Sequence, residues 1–415
     1  MQTLISCVGD TDPIRNFHDG PLLHIARVLK PEKIILIHSE RSKKKHEYIS
    51  LALQSIPNYN PTIVEENTVL ANNEVFLFDR MYEVLSGIIK KYTQTEETLL
   101  LNLTSATPQI ISAMFSINRI NDLKVRAFQV TTPVRDSNEG ILHDNQEDLQ
   151  LLIDTNEDNT EPFMNRLVED NGEKFNESLM RRTVTDLIRN YEYSGAYDIC
   201  KRTTFSVESQ KKLNERLKEI INSIKYQKKL SDVEKLKYDQ DIKTLLNAYL
   251  IIDLQVRRDL VAESLIRMKN FAEFAAILYL KENYKNMIQL RSARNTYHLM
   301  EGKHSDELLA VLKAKAEANR NTFSVNQPLN LPVLIEILQY KEPDSPLERY
   351  LQRINAINRL RNKVAHGFEE IDSKEVNLSE LLSTCRQILE LVKTIDSKWY
   401  RYNDNLNIEL LDYLK

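Results

Sequence analysis

The apolar pattern changes period partway along the chain, and that change constrains the fold more than any other feature. Up to about residue 150, short apolar runs stand apart: Leu4 to Val8, Lys33 to His38, Leu99 to Leu103 and Val125 to Val130. Runs this short, rich in Val, Ile and Leu, fit strands buried on both faces. Helical patterns lie between them, over Lys43 to Ser55, over Glu74 to Tyr92 and after Pro108, a residue suited to a first helical turn. Strand–helix alternation predicts a parallel, doubly wound sheet. From about residue 176 the period becomes helical. Leu213, Leu217, Ile220, Ile221 and Ile224 mark one buried face, and Lys243 to Ile252 and Phe271 to Leu280 read as deeply buried helices. The expected fold class is α/β plus all-α. A Rossmann-like domain occupies 1–153, an acidic linker and helical connecting region 154–240, and a helical domain 241–415.

A chain of 415 residues exceeds one ordinary core, so two or three domains are expected. No apolar stretch reaches the length of a membrane span, and the N-terminus reads as an opening strand, not a signal peptide. Cys7, Cys200 and Cys385 are far apart, which suggests no disulfide framework and no zinc cluster; a reducing cytoplasm is the expected location. A net charge of -4 excludes a globally basic nucleic-acid binder and leaves RNA contact to a local surface. The chain has no Walker-type loop and no G-x-G-x-x-G fingerprint, which argues against an ordinary ATPase or dehydrogenase.

In a doubly wound sheet, ligands sit beyond the carboxyl ends of the strands, where the strand order reverses. The residues falling there are Gly9-Asp10-Thr11-Asp12-Pro13, His38-Ser39, Thr104-Ser105-Ala106-Thr107-Pro108-Gln109, and Thr131-Thr132-Pro133-Val134-Arg135. Their small polar side chains can donate to phosphate or read ribose and base edges. The Thr107-Pro108-Gln109 step also opens a helix, whose first amides favour anions. The same residue types serve as turn formers and helix caps, so the residues alone leave both readings open.

The C-terminal half offers one chemical motif, Arg361-Asn362-Lys363-Val364-Ala365-His366-Gly367, after a helical run from Leu347 to Leu360. Histidine titrates near neutrality and can move the proton of a 2′-hydroxyl or of a leaving 5′-oxygen. Arginine can stabilise the charge that builds on the phosphorus. Residues five apart do not share a face of a regular helix, so a helix end, or pairing across a twofold axis, is needed to bring them together. Surface charge is the competing reading of the same spacing. His298 and His304 read as surface residues. Trp399, Tyr400 and Tyr402 read as a packing cluster or as base-stacking rings.

Taken together, Gly9-Asp10-Thr11-Asp12-Pro13, Thr104 to Gln109 and Arg361 to His366 resemble the type III-A CRISPR-associated ribonucleases, which join a CARF domain to a HEPN domain. The resemblance covers essentially the whole chain. It implies a dimeric CARF domain that binds a cyclic oligoadenylate. It also implies a paired HEPN domain that cuts single-stranded RNA without metal in antiviral defence. Arg361 and His366 would be the catalytic pair, with Asn362 in support. Gly9, Asp10, Thr11, Asp12, His38, Ser39, Thr104, Ser105, Thr107, Gln109 and Arg135 would be the ligand candidates. No metal site and no cofactor other than the activator is implied. By analogy with Gram-positive members, cyclic hexa-adenylate is favoured over cyclic tetra-adenylate as activator. Some relatives also cut their activator in the CARF pocket, and the sequence leaves that open here. Two rival readings remain at this point: a nucleotide-sensing regulator with a non-catalytic helical half, and a HEPN-type toxin with an unrelated N-terminal domain.

Overall fold

A computed structural model describes residues 2–95, 98–121, 123, 125–133, 148–205, 208–291, 296–300, 306–318, 320, 322–358, 360 and 375–415. The chain forms two compact units, 1–176 and 177–415.

The first unit is built on β1 (Gln2–Cys7), β4 (Lys33–Ile37), β5 (Thr62–Glu65), β6 (Thr98–Asn102), β7 (Val125–Val130) and β8 (Leu167–Glu169). The sheet order is β5-β4-β1-β6-β7-β8. All pairings are parallel except β7 with β8. Between β1 and β4 lie the two-residue strands β2 (Ile14–Arg15) and β3 (His18–Asp19), followed by α1 (Pro21–Leu29). The remaining helices are α2 (His46–Gln54), α3 (Phe78–Thr93), α4 (Pro108–Ile120) and α5 (Leu149–Asp154). Side chains alternate between the two faces of a strand, and here each face has its own core. Ile5, Cys7, Ile35, Ile37 and Leu101 pack with Met81, Leu85, Ile110 and Met114. Leu4, Ile34, Leu36, Leu100 and Phe128 pack with Leu22, Leu23, Ile49 and Leu53.

The acidic stretch 154–174, expected to be a linker or surface segment, supplies β8 and a buried charge network instead. The Arg27 guanidinium grips Asp19 through Nε to Oδ2 at 2.6 Å and Nη2 to Oδ1 at 2.9 Å. Arg166 donates from Nη2 to Asp158 Oδ2 at 2.9 Å and from Nη1 to the Thr131 carbonyl at 3.0 Å. The Arg166 amide donates to His24 Nε2 at 2.9 Å. Asp19, His24 and Asp158 therefore converge, with the cationic positions beside them taken by guanidinium groups. Of the acidic residues in this stretch, Asp158 is the buried partner of Arg166, and Asn159 Oδ1 accepts from Arg27 Nη2 at 2.8 Å.

The second unit is helical. It contains α6 (Glu173–Arg189) from Glu177 onward, α7 (Tyr193–Arg202), α8 (Gln210–Tyr226), α9 (Ser231–Glu234), α10 (Gln240–Arg257) and α11 (Val261–Asn283). A hairpin of β9 (Ile288–Arg291) and β10 (Thr296–Leu299) follows. The chain continues with α12 (Asp306–Ala318), α13 (Leu331–Lys341), α14 (Pro346–Ala356), α15 (Leu378–Val392) and α16 (Tyr402–Asp412). One core runs through this unit, from Val184 to Leu414. Two expectations need correction or resolution here. His298 is 4 % exposed, not a surface residue, because the strand β10 turns it inward, where it bonds to Thr296 Oγ1 at 2.8 Å. Trp399 is buried and stacks on Tyr402 at 5.1 Å, so that cluster packs the core. No helix among the described residues is long and apolar enough to cross a membrane.

The charge network makes two measurable demands. Replacing Arg166 with Met leaves Asp158 buried without its cation, and stability should fall by about 3–5 kcal/mol in urea unfolding. Burial alone would raise the Asp19 carboxyl, but bonds from His24, Arg27 and Asn156 outweigh it and hold it below the usual range. A folded value below the unfolded one means that this stabilisation is complete above about pH 4 and is lost as pH falls through the folded value. Acid unfolding of Asp19→Asn should lack that component; an unchanged acid profile would assign the sensitivity elsewhere.

Candidate functional site

At the carboxyl ends of β1, β4 and β6 the strand order reverses, since the chain builds β4 and β5 on one side of β1 and then places β6 on the other. A cavity of about 610 Å³ opens there. That volume suits a ligand of nucleotide size or larger. A smaller cavity of about 150 Å³ lies beyond it toward β7, and Thr11 and Thr104 line both.

The floor is set by a close approach of two loops. A Cβ on Gly9 would lie 2.7 Å from the Ala106 amide nitrogen, so only glycine lets the β1 loop lie against the β6 loop. Ala106 itself holds φ at +96°, a strained value for a residue with a Cβ. Asp12 locks the first loop from beneath. Its carboxylate accepts the Gly9 amide at 2.9 Å and the Leu22 amide at 3.0 Å, which caps α1 from outside the helix. Burial pushes the Asp12 carboxyl up, against the pull of those amides, Ser105 and Lys45. Lys45 Nζ donates to the carbonyls of Gly9, Asp10 and Asp12 at 3.3, 2.9 and 3.1 Å. Burial pulls this ammonium below its usual range.

Asn102 organises the second loop. Its Nδ2 donates to Ser6 Oγ and Ser105 Oγ, each at 2.9 Å, and its Oδ1 accepts the Thr104 amide at 2.9 Å. Thr107 caps α4, accepting the Ile110 amide at 3.4 Å, and donates to the Val75 carbonyl at 2.9 Å. Pro108 follows as the first residue of α4, and Thr107 and Ile110 bring the start of this helix to the cavity wall. Thr104 Oγ1 accepts the Val130 amide at 2.8 Å. On the β4 side, Ser39 and Ser42 cap each other through amide-to-hydroxyl bonds of 2.9 and 3.2 Å.

The sequence candidates divide into three groups. Gly9, Asp10, Thr11, Ser39, Thr104 and Thr107 line the larger cavity together. Asp12, His38 and Ser105 are 2 %, 0 % and 1 % exposed and sit behind its wall, while Gln109 is half-buried in the first turn of α4 and is not among the lining residues. His38 Nε2 and His46 Nδ1 are 3.0 Å apart, so one ring donates to the other. Burial, then repulsion from His46, pulls the His38 imidazole below its usual range, favouring the neutral ring. Arg135 and the motif residues Arg361, Asn362 and His366 lie outside the described residues. Among those described, α14 leads toward that motif and buries Leu347, Leu351 and Ile354.

Sequence reasoning missed Arg41, Ser42, Asn72, Val75 and Phe76, all of which line the cavity. Asn102 had a readable signal: one amide in an otherwise apolar run. Segment 70–77 had none, because it is neither strand nor helix and follows an edge strand.

A mostly parallel sheet with a ligand-sized cavity at its switch point, followed by a mainly helical unit, defines a two-domain protein with a ligand-binding fold joined to a helical one. Comparison with known proteins agrees with that class. The Cas_Csm6 CARF domain model matches residues 62–167, and the Cas_Csm6 HEPN domain model matches residues 227–411. The CRISPR system endoribonuclease Csm6 of Streptococcus thermophilus is 37% identical over 428 residues, covering 100% of each chain. Csm6 of Enterococcus italicus is 26% identical over 389 residues, covering 90% of this chain and 89% of the relative. The solved structure of Enterococcus italicus Csm6 bound to cyclic hexa-2'-fluoro-hexa-dAMP has the same fold, with a TM-score of 0.72 at 23% identity over 100% of both chains. The chain belongs to the Csm6 family of CRISPR-associated CARF–HEPN endoribonucleases.

The loop contact at Gly9 gives a direct test of the site's construction. Gly9→Ala must push Ala106 backbone aside, and overpacking of this kind costs about 1–3 kcal/mol. Denaturant unfolding should show that loss. A Gly9→Ala protein of unchanged stability would mean that the two loops do not hold each other as described.

Proposed function

We propose that this chain is a CRISPR endoribonuclease of type III antiviral defence, activated by a cyclic oligoadenylate and cutting single-stranded RNA without a metal. The observation that carries the reading is the cavity at the switch point of the first unit, in a chain related over its full length to CRISPR endoribonucleases. In the division of labour we propose, the first unit, 1–176, senses the ligand, and the second holds a connecting region up to about residue 240 and the nuclease at 241–415.

Arg361 and His366 are the catalytic pair, with Asn362 orienting them. The substrate's 2′-hydroxyl attacks the adjacent phosphorus while His366 takes its proton. The 5′-oxygen leaves with a proton returned to it, so the products are a 2′,3′-cyclic phosphate and a 5′-hydroxyl. Arg361 stabilises the charge on the pentavalent phosphorus. DNA lacks the nucleophile and is spared. Two chains pair, so that two motifs complete one site.

Gly9, Asp10, Thr11, Ser39, Thr104 and Thr107 face the activator, with Gln109 and Arg135 as further contacts. Asp12, His38 and Ser105 serve it by fixing the loops. Cyclic hexa-adenylate is the activator proposed, in preference to the tetra-adenylate ring, bound across the twofold axis. The ring acts by binding the cutting arrangement more tightly than the resting one. The enzyme works in the cytoplasm.

The test is an RNA cleavage assay in EDTA, with and without cyclic hexa-adenylate. Cleavage should persist in EDTA and rise with the ring. His366→Ala should lower it by about 100-fold or more while leaving ring binding unchanged. Cleavage that persists in His366→Ala, or that EDTA abolishes, would contradict the assignment.

A further inference from the structure

Segment 70–77, between β5 and α3, brings Leu70, Asn72, Val75 and Phe76 to the cavity. The segment is pinned at both ends. The Leu70 amide donates to the His38 carbonyl at 2.8 Å, and the Glu40 amide donates to the Leu70 carbonyl at 3.0 Å. At the other end Thr107 donates to the Val75 carbonyl. Leu70 and Val75 are 2 % and 6 % exposed, yet Phe76 beside them is 66 % exposed. A fixed backbone thus holds a phenyl ring open at the cavity mouth. Purine faces stack on such rings, whatever else fixes the ligand.

Asn72 is held just as firmly. The Arg41 amide donates to its Oδ1 at 3.2 Å, and its own amide donates to Glu40 Oε2 at 3.1 Å. A carboxamide presents one acceptor and one donor side by side, the match for the N6 and N7 edge of adenine. A single lone pair of Oδ1 serves Arg41, and a carbonyl oxygen has two.

The geometry points to Phe76 as the stacking platform for one adenine of the activator and to Asn72 as the reader of that adenine's edge. This inference rests on the cavity being the cyclic oligoadenylate site.

Equilibrium dialysis of the full chain against cyclic hexa-adenylate tests it. Phe76→Ala should weaken binding by about tenfold or more, and Phe76→Trp should retain it. Leu77→Ala, at a neighbour 56 % exposed but outside the cavity lining, should bind as the wild type does. The wild type should prefer cyclic hexa-adenylate to cyclic hexa-inosinate, which lacks the N6 amine, and Asn72→Ala should reduce that preference. If the wild type binds cyclic hexa-adenylate but Phe76→Ala binds equally well, the stacking role is overturned and the activator stands. Equal weakening by Phe76→Ala and Leu77→Ala also overturns it, since the apolar run would then act in packing. Discrimination undiminished in Asn72→Ala overturns the edge reading. A wild type that binds neither ring removes both the activator and this inference.

Discussion

The contact of Gly9 with the Ala106 backbone is the constraint on which the site depends. Two parallel strands end side by side at the point where the strand order reverses, and their loops must pass within van der Waals distance. Glycine permits the approach from one side, and a strained Ala106 accepts it from the other. Asp12 and Lys45 then tie the first loop to α1 and to its own carbonyls, while Asn102 ties the second to β1. Most of the small polar groups at this edge are bonded to one another. They form a bonded rim, with the Phe76 ring open beside the cavity. Preorganisation of this kind reduces the ordering that binding requires.

A bonded rim also bears on activation. A ring that bound equally well to resting and cutting arrangements would change nothing, however tightly it bound. A stiff pocket can be complementary to one arrangement of a pair of chains and not to another. The burial of Asp12 places its carboxylate behind the wall, where it holds the first loop through the Gly9 and Leu22 amides.

Legibility in the sequence followed burial. The strands β1, β4 and β6 were readable because both faces are buried, which writes each as an apolar run, and β7 because Ala127, Phe128 and Val130 are buried although Arg126 and Gln129 are exposed. β5 was not, because Thr62–Glu65 lies at the sheet edge with half-exposed side chains. β8 was hidden inside an acidic stretch, because Asp158 has its partner in Arg166, a pairing that appears only once the chain has folded. The α3 pattern was read from Glu74, yet the helix begins at Phe78: residues 74–77 turn across the cavity first. Gly9, Ser39, Thr104 and Thr107 could be placed from the rule that ligands gather at strand ends. Asn72 and Phe76 could not, since their position follows from backbone bonds to His38, Glu40 and Thr107. His298 showed the opposite error, since it was read as a surface residue. It carries no motif, yet it is buried and bonded to Thr296.

In the activation proposed, a single ligand joins a cavity in one unit to chemistry in the other. Calorimetric titration of the full chain with cyclic hexa-adenylate, beside cyclic tetra-adenylate, examines that link most directly. The expected result is saturable binding of the hexa-adenylate at one ring per two chains, tighter than the tetra-adenylate. No heat and no saturation with either ring, from protein that still cuts RNA, would contradict it.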